Sequence, residues 1–588
     1  VKWRKWHVGV VAAAAVAGVF ALARGGGDSG SGADAGVAVV EPPVPAPDGL
    51  LCDLYVAAPN AAWTKLQRGV GGPAGILPAT LPGVVVLLAD LDITLASELD
   101  GTAPMYGAAA GDPADPSLVV AMRLVDPRRA RSMLVGDGDA GPFVAREEAG
   151  MTVLVPASRR PTEPPRDGRF EVALTKNGYL VLGRRLDDLR LLAPYVTRTL
   201  PSRTLPSEAA VLEIPRSAIQ TLLKPKLESA WKEGRSFLLT EDERMRAERG
   251  RAPDFGDPAA IVATLDAVLS RRFAIIGGLE RVRVAVDVTE DAAILTATLA
   301  PTADPASEAK KWIDTMKVGD ASPLLELPAV SAFAMSTRDG EDERAEQASA
   351  MEKAIVSSLG SRLKEPEKLH EVFEAVAKSR DEAVAFALGL EEPAGLFLRA
   401  PVRDGEAANK AIRGAFELAK IDPFKELFRA KSVTSSREEL PGLGTAEVLT
   451  LLRDPPKTQK PALALPRPAQ DGGAPRGPAS ANVGAAWLVS DGKLSLGAGA
   501  EPVVTLKIGA KTDRKLADEP SLRRFLSAIG NDASTIVVGQ PLRLDPKRAS
   551  LPTSPLAIAV GKRGGEAFVR VEISDGLLRE AARWRMGF

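Results

Sequence analysis

Two stretches of this chain, 282–312 and 554–584, read as one supersecondary unit written twice. Each opens on alternating apolar residues, Val284, Val286 and Val288 in the first and Leu556, Ile558 and Val560 in the second. A polar turn follows, around Glu290-Asp291 and at Lys562-Arg563-Gly564-Gly565, and then a second apolar run, 294–299 and 568–573. Period-two hydrophobicity on both sides of a tight turn predicts a β-hairpin. The helical apolar spacing beyond it, up to Trp312 and Trp584, predicts a helix.

Earlier landmarks keep the same order. Asn177-Gly178 and Asp491-Gly492 each sit between extended runs, and both pairs suit a two-residue turn that needs positive φ. The stretch 116–133 parallels 393–416, each an apolar run leading into a helix. These parallels predict two related α+β halves, 50–310 and 311–588, with antiparallel or mixed β-sheets and helices packed on one face. Chance likeness between ordinary α+β segments is the competing reading. The glycines do not form the strand, G-x-G-x-x-G, helix arrangement of a dinucleotide-binding sheet, so a doubly wound fold is not expected.

Asp-Pro pairs punctuate the chain at Asp126-Pro127, Asp257-Pro258, Asp304-Pro305 and Asp422-Pro423. An aspartate at the N-cap accepts orphan backbone N–H groups while proline at the first helical position sacrifices no bond, so each pair predicts a helix start. Helices are expected over 218–233, 240–249, 257–272, 342–359, 366–378 and 520–529, the second opening with a Thr240/Glu243 capping box. Seven prolines within 455–478 predict a long loop in the second half, and a smaller proline-rich excursion, 159–169, separates two strands in the first.

Before the first half lies a different kind of sequence. Lys2, Arg4 and Lys5 precede an apolar run, 8–23, which ends in Ala21-Leu22-Ala23. As a helix this run spans about 24 Å, somewhat short of a bilayer's hydrocarbon layer. Residues 1–23 therefore read as a signal peptide or an N-terminal membrane anchor, with the body exported to a periplasmic or other extracytoplasmic space. Residues 24–49 are rich in Gly, Ser, Ala and Pro and read as a flexible spacer.

Composition narrows the function. Setting aside the three basic residues of 1–23 leaves 72 against 76 acidic, so no nucleic-acid partner is expected. The single Cys52 cannot form an internal disulfide and reads as a structural thiol. His370 stands near Glu367 and Glu374 at helical offsets, the pattern of a solvated charged helix. Ser-x-x-Lys occurs at Ser307/Lys310, Ser361/Lys364 and Ser490/Lys493 without the partner motifs of a Ser-Lys hydrolase. Asp137-Gly138-Asp139 and Asp339-Gly340-Glu341-Asp342 lack calcium-loop spacing and read as solvated turns.

No catalytic, metal or cofactor residue is assigned. The leading reading is an exported, noncatalytic bacterial envelope protein that binds a macromolecular partner or has a structural role. A lipid or apolar-ligand carrier is the first alternative, and a Ser-Lys or carboxylate-dependent hydrolase the second. Expected partners are an envelope protein or an apolar ligand, with membrane association if the leader is retained.

Overall fold

The protein is described here from a computed structural model, which covers residues 41–70, 78–136, 142–157, 170–249, 258–289, 291–389, 395–453, 482–544 and 554–586. The leader, most of the spacer and both proline-rich excursions lie outside these residues. The chain forms a mixed α+β fold with large antiparallel sheets, in two compact units. The first comprises 1–230, 272–313 and 564–588, and the second 231–271 and 314–563.

The first unit begins with β1 (Leu50–Val56), followed by α1 (Pro59–Val70) and α2 (Leu81–Leu88). Next come β2 (Met105–Ala110), β3 (Ser117–Arg123), α3 (Pro127–Val135), β4 (Phe143–Glu148), β5 (Met151–Pro156), β6 (Glu171–Thr175) and β7 (Tyr179–Gly183). Helix α4 (Leu186–Pro194) runs into a π-turn, Tyr195–Thr199, before β8 (Ala210–Pro215). Two long helices, α5 (Lys224–Arg249) and α6 (Pro258–Gly277), whose residues 231–271 belong to the second unit, then separate β8 from β9 (Leu279–Val288), β10 (Ala292–Pro301) and α7 (Glu308–Thr315).

The rest of the chain gives β11 (Phe333–Arg338), α8 (Glu341–Leu359), α9 (Pro366–Ser379), β12 (Ala383–Leu388), β13 (Gly395–Pro401) and α10 (Gly405–Leu418). These lead to β14 (Ala430–Leu440), β15 (Gly444–Arg453), β16 (Val483–Ser490) and β17 (Lys493–Gly499). Last come α11 (Pro502–Lys511), α12 (Pro520–Ile529), β18 (Ala533–Gly539), β19 (Leu556–Arg563), β20 (Glu566–Ser574) and α13 (Asp575–Met586).

In the first unit the ladders run β4-β5-β6-β7-β3-β2-β1-β8-β9-β10, and β20 pairs with β10. In the second they run β14-β15-β16-β17-β13-β12-β11-β18-β19. Strand for strand, the two orders are the same from the β4/β14 edge to β9/β19.

Local details repeat with them. Asp126 Oδ1 accepts from the backbone N–H groups of Arg128 and Arg129 at 2.9 and 3.1 Å, and Asp404 Oδ1 accepts from those of Glu406 and Ala407 at 2.9 and 3.0 Å. The N–H of Leu124 donates to Gly178 O and that of Val402 to Gly492 O, both at 2.8 Å. Asp491 and Gly492, at φ 50° and 68°, form the expected two-residue turn between Ser490 and Lys493, whereas at the other turn only Gly178 is at positive φ, 83°, and its N–H donates to Thr175 O, so that turn is longer than the two residues expected.

Several expectations need correction. Helices cover both faces of the first sheet. Trp63 of α1, Val84 and Val86 of α2 and Leu134 of α3 pack on the side of Val56 and Met105, while Leu189 and Leu192 of α4 pack on the side of Tyr55 and Tyr106. Strand β2 is buried along its whole length, and Ala and Gly at its centre let both layers approach. The segments expected at 218–233 and 240–249 merge into α5, because its one proline, Pro225, stands in the first turn and the single Gly234 beyond it does not override the surrounding helix propensity. Ladder neighbours match Ala285 to Ala559, two residues beyond the partner obtained by laying 282–312 directly on 554–584.

Residues 41–47 lie against the first unit, where Val44 packs on its core and Glu41 pairs with Arg198 at 2.8 Å.

Candidate functional site

Strand β1 carries a charged residue inside an apolar run, Leu-Leu-Cys-Asp-Leu-Tyr-Val. Alternation puts Asp53 and Tyr55 on one face, beneath the segment that follows α4. Asp53 is buried, with 5% of its surface exposed, and such a carboxylate persists only if it is partnered. Tyr195 donates its hydroxyl to Asp53 Oδ2 at 3.1 Å, and Arg203 Nη1 donates to the same oxygen at 2.8 Å. Arg203 also reaches the Tyr55 hydroxyl at 3.2 Å and the Tyr195 hydroxyl at 2.8 Å, with its guanidinium 5.5 Å from the Tyr195 ring centroid. Two edge-on contacts, Tyr55 to Tyr106 and Tyr106 to Tyr179, extend the cluster, so all four tyrosines of the chain meet here.

Burial raises the pKa of Asp53, while the charge and hydrogen bond of Arg203 oppose that rise. Burial also raises Tyr195, reinforced by the Asp53 charge, and pushes Tyr106 up to about 12. Burial works against the Arg203 charge, but its hydrogen bond to Tyr55 and the charges around it raise its pKa on balance. Cys52 is pushed up to about 12 by burial and then by Asp53, so it is a thiol at neutral pH and a poor nucleophile. Asp53 Oδ1 has no hydrogen-bond partner among the described residues.

A second buried ionic cluster lies in the other unit. Arg344 Nη1 donates to Asp339 O at 2.8 Å and to Asp339 Oδ1 at 3.0 Å, and Arg380 Nη2 donates to Asp339 Oδ2. The segment expected to be a solvated turn therefore begins with a carboxylate that is 6% exposed and held by two guanidinium groups. His370 is exposed on α9. Its Nδ1 lies 3.0 Å from both carboxylate oxygens of Glu352 on α8, and neither Glu367 nor Glu374 of its own helix is that partner. The hydrogen bond to Glu352, followed by that residue's charge, raises the imidazole pKa.

Of the Ser-x-x-Lys pairs, those of Ser307 and Ser490 do not direct the hydroxyl at the lysine, and the side chain of Ser361 lies outside the description. Ser307 Oγ donates to Gly278 O at 3.1 Å, Ser490 Oγ donates to Asp491 at 3.2 Å, and Lys493 pairs with Glu326 at 3.1 Å. Lys364 is exposed. Asp137 and Asp139 lie outside the described residues, among which no group of three metal-ligating side chains gathers. A small cavity of about 10 Å³, room for one water, lies between Glu41, Gly150, Thr175, Thr197 and Arg198. An open crevice of about 330 Å³ is lined by Arg216, Gln220, Lys224, Asp304, Ser307 and Glu308 among others.

Sequence reading missed the Asp53 cluster. Its one visible sign is an aspartate alternating with tyrosine in an otherwise apolar strand, since Tyr195 and Arg203 are distant in sequence.

Neither a protein-family model nor a curated protein matches the chain. Among solved structures, crystal form III of TP0453 aligns with 44% of this chain and 96% of its own, at 7% identity and a TM-score of 0.19. A score that low carries no argument about fold or function. Among the described residues no helix is long and apolar enough to cross a membrane.

Proposed function

We propose that this is an exported, noncatalytic cell-envelope protein, built from two related α+β halves, that binds a protein partner through a helical arm inserted in the chain between β8 and β9. Shared strand order, the matching Asp126 and Asp404 caps and the matching turns support the two related halves. The charged-then-apolar run of 1–23 supports export.

The observation that carries the binding role is the α5–α6 pair. It fills 216–278 between β8 and β9, whereas the matching connection between β18 and β19 is only 540–555. Trp231 Nε1 donates to Asp266 at 2.6 Å and Arg235 pairs with the same carboxylate at 2.9 Å, so the two helices hold each other in register. Yet Phe237 is 67% exposed and Val268 51%, with Leu238 and Leu265 also in solvent. Large apolar side chains concentrated on an inserted element are a feature of surfaces that bury themselves against another protein.

The carrier alternative is weaker because the small cavity beside Glu41 and the crevice beside Arg216 are both lined largely by polar groups. The hydrolase alternative is weaker because the hydroxyls of Ser307 and Ser490 are taken up in bonds away from their lysines.

Two experiments test the proposal. Fractionation with mass measurement should find the body outside the cytoplasm, with 1–23 either removed or membrane-retained; intact chain in the cytoplasm defeats export. A photo-crosslinking residue placed in cells at Phe237 or Val268 should give one discrete protein adduct, and the same probe at Lys431 on β14 should give none. Lipid-only adducts, or equal labelling at all three positions, would count against a protein partner.

A further inference from the structure

The segment that supplies Tyr195 and Arg203 to Asp53 is also the segment on which residues 41–47 are seated. Thr199 sits between the two. Its hydroxyl donates to Val44 O at 2.6 Å and accepts from the Val44 N–H at 2.9 Å, so one side chain satisfies both backbone groups of one residue, as a neighbouring strand would. One residue earlier, Arg198 pairs with Glu41 at 2.8 Å, both side chains being largely buried at 22% and 19% exposed. Val44 adds its apolar side chain to the core that contains Tyr55, Tyr106 and Tyr195. Glu41 also walls the small cavity under this segment, opposite Gly150 and Thr197.

The backbone here is not an ordinary helix continuation. Residues 195–199 form a π-turn, and Leu200–Ser202 a single 3₁₀ turn, before the chain leaves at Arg203. Wide and tight turns in succession hold their shape poorly alone, and persist where outside contacts fix them. Prolines at 42, 43, 45 and 47 keep the approaching chain extended, which lowers the entropy lost when it docks.

We infer that residues 41–47 are a strap that clamps the 195–203 segment, so that seating or lifting the strap sets whether Tyr195 and Arg203 stay engaged with Asp53. The strap stands between 1–40 and β1. A pull or a binding event on the N-terminal segment therefore reaches the buried cluster through Val44 and Thr199, without passing through the sheet. Lifting the strap removes two hydrogen bonds and an ion pair from the segment and opens the cavity that Glu41 walls.

The test uses the full chain. Thr199→Val keeps the side chain's shape and deletes both bonds to Val44, and Val44→Pro deletes the N–H donor from the strap side, outside the sheet. Thr197→Val is the control, because Thr197 Oγ1 donates only to Ala193 O within the same turn and does not touch the strap. Hydrogen exchange reads the strap, and nitration followed by mass spectrometry reads Tyr55 and Tyr195. Each lost bond shifts an opening equilibrium by roughly three- to tenfold. Thr199→Val should therefore release the protection of the Val44 amide, Thr199→Val and Val44→Pro should both raise Tyr195 nitration about three- to tenfold, and Thr197→Val should leave the Val44 amide within about twofold of the parent. Loss of strap protection with Tyr195 nitration unchanged would overturn the coupling. A Val44 amide that stays protected in Thr199→Val would overturn Thr199 as its clamp. Should Thr199→Val fail to fold, Val44→Pro decides the coupling through Tyr195 nitration.

Discussion

In the first unit the face of β1 under the π-turn carries Asp53 and Tyr55, while the matching ladder positions of the second unit carry Ala334 and Ser336 on β11. Tyr106 of β2 is matched by Ala385 of β12, and Val119 of β3 by Phe397 of β13. The same backbone order is thus filled in two ways. The first unit sets a wide helical turn above the sheet and fills the gap with tyrosines tied to a buried ion pair. The second brings α11 close enough that a Cβ at Gly509 would lie 2.1 Å from the Phe397 ring, leaving no room for such a cluster. A polar core demands partners in fixed geometry, whereas an apolar one demands mainly volume. The difference therefore lies in what specifies each unit as much as in how stable each is.

The sharpest way to break the comparison is to remove the polar filling. Asp53→Ala leaves Tyr195 without its acceptor and Arg203 without its counter-charge. Breaking a buried pair from one side typically costs 3–5 kcal/mol, but the Arg203 side chain is 41% exposed and regains water, so a loss of about 2–3 kcal/mol is expected in urea unfolding. Placing the charge where the second unit has none, Ala334→Asp, should also be strongly destabilising, because no arginine or tyrosine stands at the matching place. If Ala334→Asp were silent, the two faces would be less different than their side chains indicate.

A smaller effect is expected at a pair of matched glycines. Gly183 of β7 and Gly497 of β17 occupy the same ladder position, opposite Val119 and Phe397. A Cβ at Gly497 would lie 2.4 Å from the backbone nitrogen of Leu506 in α11, which can yield only if the helix moves. A Cβ at Gly183 would meet Leu189 Cδ2 at 2.9 Å, the end of a side chain that can rotate. Gly497→Ala should therefore cost about 1–3 kcal/mol, and Gly183→Ala roughly 1 kcal/mol or less. Equal losses would mean that the two helices ride at the same height above their sheets. Smaller still, and alike in the two units, should be the caps. Asp126→Ala and Asp404→Ala are each expected to lose about 1 kcal/mol, since each aspartate satisfies two helix N–H groups in the same geometry.

The parts of this architecture legible in the sequence are the local ones. Asp126 announced its cap through the proline that follows, Asn177-Gly178 and Asp491-Gly492 announced their turns through their need for positive φ, and the alternating valines of β9 announced a strand. Each signal lies within a few residues of what it determines. The Asp53 cluster was hidden because Tyr195 and Arg203 come from 142 and 150 residues away, and no local pattern ties them to β1. The helix layer on the second face of the first sheet was hidden for a related reason. Ala and Gly in β2 accept a close helix as readily as they accept water, and only the fold decides between them. His370 shows the same limit on a small scale: its own helix offered two carboxylates, and packing of α8 beside α9 supplied a third that won.

That histidine gives the mildest test, and one confined to the second unit. The chain has two histidines, His7, outside the described residues, and His370, so imidazole-linked pH dependence within the described residues belongs to His370. Its pKa is raised above the ordinary 6.5 by Glu352. The folded protein therefore holds the imidazole proton more tightly than the unfolded chain does. The resulting stabilisation is complete below the unfolded value and fades as pH rises through the folded one. The pair is exposed, so the stability change should be slight and weakened further by salt. The direct measurement is an NMR titration of the His370 ring: its midpoint should lie above 6.5 in the parent and fall back toward that value in Glu352→Gln. Glu374→Gln should shift it less, because that carboxylate is paired with Lys378 at 2.7 Å. A midpoint that drops more in Glu374→Gln than in Glu352→Gln would show that the helix-offset partner, and not the one from α8, governs the ring.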